Sequence, residues 1–123
     1  FAEETGVDAL AVSVGNAHGL YRGTPNLRYD LIAEIRRRVS VPLVMHGGSG
    51  LPEAEYPRIV AAGITKVNFY SEMSRRATET LKRFLEKDDG SLLSHNILRH
   101  MIAAHAEESR RVLGLLGYTQ EES

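Results

Sequence analysis

Two histidines follow short apolar segments that the sequence predicts to be strands. His18 comes just after the first segment and His46 ends the second, and a glycine follows each histidine. Neutral imidazole is a good ligand for zinc or cobalt, and ligands of α/β proteins bind at the carboxyl ends of strands. The two histidines could therefore converge on one metal ion. The alternative is that each is a structural loop residue that hydrogen-bonds to backbone.

The segment Gly47-Gly48-Ser49-Gly50 predicts a different chemistry, the binding of phosphate. Glycines let the backbone approach a ligand, N–H groups before a helix bind phosphate oxygens, and the Ser49 hydroxyl adds a donor. Ser71 stands likewise at the start of a predicted helix, just after residues 68–70. The alternative is two ordinary tight turns with serine as an N-cap.

Lys66 is a third candidate, because a buried lysine can form a Schiff base with a carbonyl substrate. Strict alternation along a strand predicts that Lys66 shares a face with Ile64 and Asn68. The alternative is a lysine in the interior of a barrel or at the strand end that is paired with a carboxylate.

The elements that must position these residues alternate between strand and helix. The sequence predicts strands at 8–15, 41–45 and 64–69, and helices at 30–39, 52–63, 71–87 and 96–116. The second helix should bury Ile59, Val60 and Ala62, and Pro57 should kink it or delay its start. Such alternation is typical of parallel βα units. Three strands could form a small open sheet or three-eighths of a (β/α)8 barrel.

Composition excludes several classes of protein. The chain has 123 residues, is 42% hydrophobic and 25% charged, and carries a net charge of −1, as expected for a globular domain without a nucleic-acid partner. Without cysteine, any metal must be held by His, Asp, Glu or Asn. No apolar run approaches the roughly 18 residues of a membrane span. With no visible targeting segment, we expect a cytoplasmic protein without a membrane partner.

Four motifs give the sequence a family resemblance. They are TGVDALAV at residues 5–12, GNAHGLY at 15–21, VPLVMHGGSGLP at 41–52 and GITKVN at 63–68. Together they resemble the class II, metal-dependent fructose-bisphosphate aldolases, which include tagatose-bisphosphate aldolases. The resemblance implies a TIM barrel, of which residues 1–123 would be the C-terminal part, with strands six to eight and a long C-terminal helix.

The resemblance also implies a reaction and a site. The reaction is reversible cleavage of a ketose bisphosphate to dihydroxyacetone phosphate and an aldehyde, with Zn²⁺, or another divalent ion, as the Lewis acid. His18 and His46 match two of the family's three zinc ligands. The positions that match substrate-binding residues are Gly19, Gly47, Gly48, Ser49, Asn68, Phe69, Tyr70 and Ser71. Tyr70 stands where fructose-bisphosphate aldolases have Asp, and Ser71 where Thr is usual.

The family's third zinc histidine and its general acid/base are expected outside this chain. We therefore expect little aldolase activity from the 123 residues alone, with the rest of the barrel or a second copy as partner and a phosphorylated sugar as substrate. One alternative is a truncated, non-catalytic subunit that binds a sugar phosphate or only assembles with a partner. The other is a phosphate-binding barrel enzyme without metal.

Overall fold

Strands and helices alternate along the chain, as the sequence predicts. The computed structural model describes residues 1–17, 23, 25–87 and 92–118. The elements are, in order, α1 (Ala2–Thr5), β1 (Leu10–Val12), α2 (Tyr29–Arg38), β2 (Leu43–Met45), α3 (Glu55–Ala62), β3 (Ile64–Val67), α4 (Ser71–Leu85) and α5 (Ser94–Leu115). The described residues divide into two compact units, with the boundary between Tyr70 and Ser71.

The three strands form one parallel sheet in the order β1-β2-β3. The α/β prediction is therefore confirmed. β2 lies in the centre, and all three of its residues are buried, as expected for a strand that is covered on both faces. All three strands are shorter than predicted: β1 and β2 begin two residues later than predicted, and β1 and β3 end where the backbone turns into the loops that follow.

The β2–β3 ladder is irregular. Leu43 pairs with Ile64 but Val44 pairs with Lys66, so β3 holds one extra residue, Thr65. The Thr65 hydroxyl donates a 3.0 Å hydrogen bond to the carbonyl of Leu43 at this point. Since an extra residue reverses the alternation of faces, Ile64 and Lys66 lie on opposite faces.

The first unit buries its apolar side chains between the sheet and helices α2 and α3. Six large side chains there are less than 2% exposed: Tyr56, Ile32, Leu43, Met45, Ile59 and Val14. α3 begins at Glu55 rather than Pro52, which puts Pro57 in the first turn, where a missing N–H costs little. The predicted burial of Val60 is wrong, because one residue beyond Ile59 turns by 100° and leaves Val60 40% exposed.

The second unit consists of α4 and α5. Within α4, Arg75 donates two hydrogen bonds to the Glu72 carboxylate and Arg76 donates one. Arg76 also lies 3.4 Å from Glu108 of α5, so a charged network joins the two helices. No helix in the described part of the chain combines the length and the apolar character needed to cross a membrane.

Glu72 should make the second unit sensitive to acid. The two hydrogen bonds from Arg75, more than the one from Arg76, lower the pKa of Glu72 from 4.5 to about 2. Because the folded pKa lies below the unfolded one, the stabilisation is complete above about pH 4.5 and is lost as the pH falls toward 2. We expect Glu72→Gln to lower the free energy of unfolding at pH 7 by about 2 kcal/mol.

Urea unfolding followed by circular dichroism measures this effect. The difference between wild type and Glu72→Gln should shrink by about half between pH 5 and pH 3. Glu107→Gln, a change at an exposed position of α5, is the control and should stay within about 0.5 kcal/mol of wild type. Equal losses in the two variants, or a Glu72→Gln loss that does not change with pH, would contradict the prediction.

Candidate functional site

Two loops leave the sheet side by side at the carboxyl ends of β2 and β3. The first begins at His46, directly after β2, and the second at Asn68, directly after β3. Asn68 N donates to Met45 O at 2.9 Å, and Gly48 N donates to Asn68 O at 3.0 Å. These backbone bonds hold the two loops in one register, at the edge where ligands of α/β proteins bind.

His46 is half-buried and held through its ring and its backbone. Its Nδ1 lies 3.0 Å from Nδ2 of Asn68. Its carbonyl accepts a 2.8 Å hydrogen bond from Nδ2 of Asn16, whose Oδ1 accepts from Val14 N at 2.7 Å. Asn16 therefore ties the loop after β1 to the loop after β2. No role for Asn16 was predicted, although its place at the end of a strand was a possible signal.

Ser49 is the most buried polar residue of the site, at 3% exposure. Its Oγ accepts a 2.9 Å hydrogen bond from Tyr70 N, so it ties the first loop to the second. Since a hydroxyl also donates, Ser49 keeps a hydrogen that it can offer to a phosphate oxygen. The Gly48 N–H, in contrast, is already bonded to Asn68.

Tyr56 of α3 supports the glycine loop from below. Its side chain is 1% exposed, and its hydroxyl donates a 2.9 Å hydrogen bond to Gly48 O. This contact was not predicted from the sequence, because an aromatic residue on the apolar face of a helix indicates only a position in the core.

Gly48 and Gly15 are glycines for steric reasons. A Cβ on Gly48 would lie 2.2 Å from Val67 Cγ1 and 3.1 Å from Asn68 O. A Cβ on Gly15 would lie 2.0 Å from Asn26 O, and its φ of +90° further disfavours any side chain. The loop after β2 can approach Val67 and Asn68, and Gly15 can approach Asn26, only because these two positions have no side chain.

Lys66 is exposed, and its Nζ donates a 2.8 Å hydrogen bond to Oδ1 of Asn68. Its partner is thus an amide and not the expected carboxylate. Lys66 and Asn68 share a face as predicted, but the extra residue Thr65 puts Ile64 on the other face, which corrects that part of the prediction. The exposure of Lys66 removes the desolvation on which a Schiff-base role would rest.

The remaining predicted site residues are distributed as follows. His18 and Gly19 lie outside the described residues. Phe69 is half-buried, the Tyr70 side chain is 67% exposed, and Ser71 begins α4 in the second unit. Within residues 1–17, 23, 25–87 and 92–118, no three His, Cys, Asp or Glu side chains are grouped as a metal site. Of the two predicted metal ligands, only His46 lies among the described residues. Its imidazole has the donor chemistry that zinc requires.

Comparison with known proteins gives consistent matches over nearly the whole chain. Residues 1–121 match the family model described as fructose-bisphosphate aldolase class-II. The D-tagatose-1,6-bisphosphate aldolase subunit GatY of Klebsiella oxytoca is 35% identical over 117 residues, 95% of this chain and 41% of GatY. YdjI of Escherichia coli K12 is 35% identical over 114 residues, 93% of this chain and 40% of YdjI. The chain thus spans about two-fifths of the length of these relatives.

Solved structures give the same result. The crystal structure of the YdjI aldolase from Escherichia coli K12 superimposes with a TM-score of 0.84 at 33% identity, over 94% of this chain and 42% of that one. A structure from Coccidioides immitis has a TM-score of 0.77 at 23% identity, over 94% of this chain and 40% of that one. The second likeness supports the fold alone.

Proposed function

The chain belongs to the class-II fructose-bisphosphate aldolase family, and from that premise we propose that it forms strands six to eight of a metal-dependent aldolase barrel. The reaction is reversible cleavage of a ketose bisphosphate to dihydroxyacetone phosphate and an aldehyde. One observation carries the proposal: an imidazole and a Gly-Gly-Ser loop lie together at the carboxyl edge of a parallel sheet. That is where barrel enzymes bind their substrates.

The residues divide into metal-binding and phosphate-binding roles. His46, together with His18, would hold the metal ion. When bound, zinc supplies a Lewis acid for the substrate's carbonyl oxygen. Ser49 would donate its hydroxyl hydrogen to the phosphate, with Gly19 and Gly47 beside it. Gly48 contributes close approach of its backbone rather than its N–H, which is bonded to Asn68.

The second loop would complete the grip on the substrate. Asn68, Phe69 and Tyr70 follow one another along it, and Tyr70 N donates to Ser49 Oγ. Ser71, the fourth predicted residue, begins α4. Holding both loops rigid places the scissile bond correctly before reaction, which lowers the entropic part of the barrier. The general acid/base and the third histidine are supplied by other parts of the protein or by a second copy.

A binding and a cleavage measurement test this proposal. We expect isothermal titration to detect dihydroxyacetone phosphate binding by the zinc-loaded full-length protein. Ser49→Ala should weaken it about tenfold, the loss of roughly 1.5 kcal/mol for a hydrogen bond to a charged group. The full-length gene product should cleave fructose or tagatose 1,6-bisphosphate in a coupled assay.

The controls separate this function from its alternatives. Ser109→Ala removes a hydroxyl that donates within the second unit and should leave binding unchanged. If Ser49→Ala binds as tightly as wild type, or if the full-length product cleaves neither bisphosphate, the proposed function is wrong. Robust turnover by the 123 residues alone would show that the acid/base lies within them.

A further inference from the structure

A chain of hydrogen bonds runs from Lys66 through Asn68 to His46. Lys66 Nζ lies 2.8 Å from Oδ1 of Asn68, and Nδ2 of Asn68 lies 3.0 Å from Nδ1 of His46. The chain crosses from β3 to the loop that follows β2. It therefore couples an exposed cation to the side chain that we assign to the metal.

The chemistry of lysine fixes the direction of every bond in this chain. An ammonium group only donates, so it requires the amide oxygen of Asn68 on its side. The amide nitrogen of Asn68 then faces His46 and donates, because an amide NH₂ cannot accept. Nδ1 of His46 must accept, so the proton of the neutral ring is on Nε2.

This arrangement is the opposite of the one that usually surrounds a metal-ligating histidine. Such a histidine donates its second ring N–H to a carboxylate or carbonyl oxygen, which leaves the other nitrogen with a lone pair for the metal. Here Asn68 occupies the lone pair of Nδ1 and leaves the proton on Nε2. A metal ion that binds Nδ1 must displace the amide. One that binds Nε2 requires the amide to flip, which turns NH₂ toward Lys66 and breaks that bond.

We propose that Lys66 is a positioning residue which, through Asn68, holds the His46 ring in a form that opposes metal binding until the amide is released. The inference rests on the proposed role of His46 as a metal ligand. Lys66 touches neither metal nor substrate in this role. It acts by making one orientation of the Asn68 amide the favoured one.

Nitrogen NMR of the His46 ring shows directly which ring nitrogen carries the proton. At pH 8, where imidazole is ordinarily neutral, long-range proton–nitrogen spectra distinguish a protonated from an unprotonated ring nitrogen, and His46→Ala assigns the signals. We expect wild type to carry the proton on Nε2. Lys66→Met should show an increased Nδ1–H population, and Asn68→Asp should move the proton to Nδ1 because a carboxylate only accepts.

Zinc titration of the same variants tests the consequence for the metal. Lys66→Met should bind zinc about three- to tenfold more tightly. In this variant no hydrogen bond between residue 66 and Asn68 has to break when the amide is released. Lys66→Arg keeps both the charge and the donor-only character. It should match wild type in tautomer and in zinc affinity. The tautomer of Lys66→Met separates the orienting effect from simple charge repulsion, because charge repulsion would change the affinity without moving the proton.

The outcomes separate this inference from the proposed function. If His46→Ala leaves zinc binding unchanged, the proposed function fails. If His46 binds zinc but wild type already carries the proton on Nδ1, the inference alone is overturned. It is also overturned if Lys66→Met changes neither the tautomer nor the zinc affinity.

Discussion

Replacing His46 with alanine should lower zinc affinity more than about 100-fold and abolish aldolase activity in the full-length protein. Changing a residue that only supports a ligand costs 10- to 100-fold in metal affinity or activity, so removing a ligand itself should cost at least the upper figure. Catalytic zinc sites use three protein ligands, and loss of one leaves too few to hold the ion. Equilibrium dialysis with zinc and a coupled cleavage assay measure the two effects.

His105→Ala provides the matched control. The His105 ring lies 2.8 Å from the carbonyl of Met101 in the same helix, α5, so its removal should change neither zinc content nor turnover. Circular dichroism of both variants checks that they fold. Zinc binding by His46→Ala at the wild-type level would show that His46 is not a zinc ligand and would contradict the proposed function.

Much of the fold follows from local pattern. The apolar segments at β1, β2 and β3 and the helical spacing of α2 to α5 place each element at the right point in the chain. Parallel pairing then follows from alternation of strand and helix. The exact ends of the helices and strands could not be predicted from this pattern. They depend on where the ladder stops and on the geometry of the first helical turn, as the late start of α3 at Glu55 illustrates.

The candidate residues could be selected from the sequence, but the contacts between them could not. Residue types at strand ends selected His46, Ser49 and Asn68. Their hydrogen bonds depend on the register between β2 and β3, which the extra residue Thr65 changes. Nothing in residue type or spacing predicts that irregularity. Alternation along β3 does predict that Lys66 and Asn68 share a face, but it does not predict that Nζ of Lys66 donates to the amide oxygen of Asn68.

Gly48→Ala should disrupt the contact between the two loops and lower the free energy of unfolding of the first unit by about 3 kcal/mol. The added methyl would lie 2.2 Å from Val67 Cγ1 and 3.1 Å from Asn68 O. Valine has little rotamer freedom with which to yield, so the loop itself must move. That movement breaks the bond from Gly48 N to Asn68 O and shifts His46 relative to Asn68. Urea unfolding measures the stability, and zinc titration measures the site.

Two further variants determine whether the clash with Val67 is the cause. Val67→Ala in the Gly48→Ala background removes Cγ1 and leaves the nearest Val67 atom, Cβ, 3.7 Å away. The double variant should therefore be at least about 1 kcal/mol more stable than the sum of the single effects. Gly114→Ala, in α5 with nothing near the new methyl, should instead stabilise by about 0.5–1 kcal/mol. Strict additivity of Gly48→Ala and Val67→Ala would mean that the two loops do not require the close approach seen at Gly48.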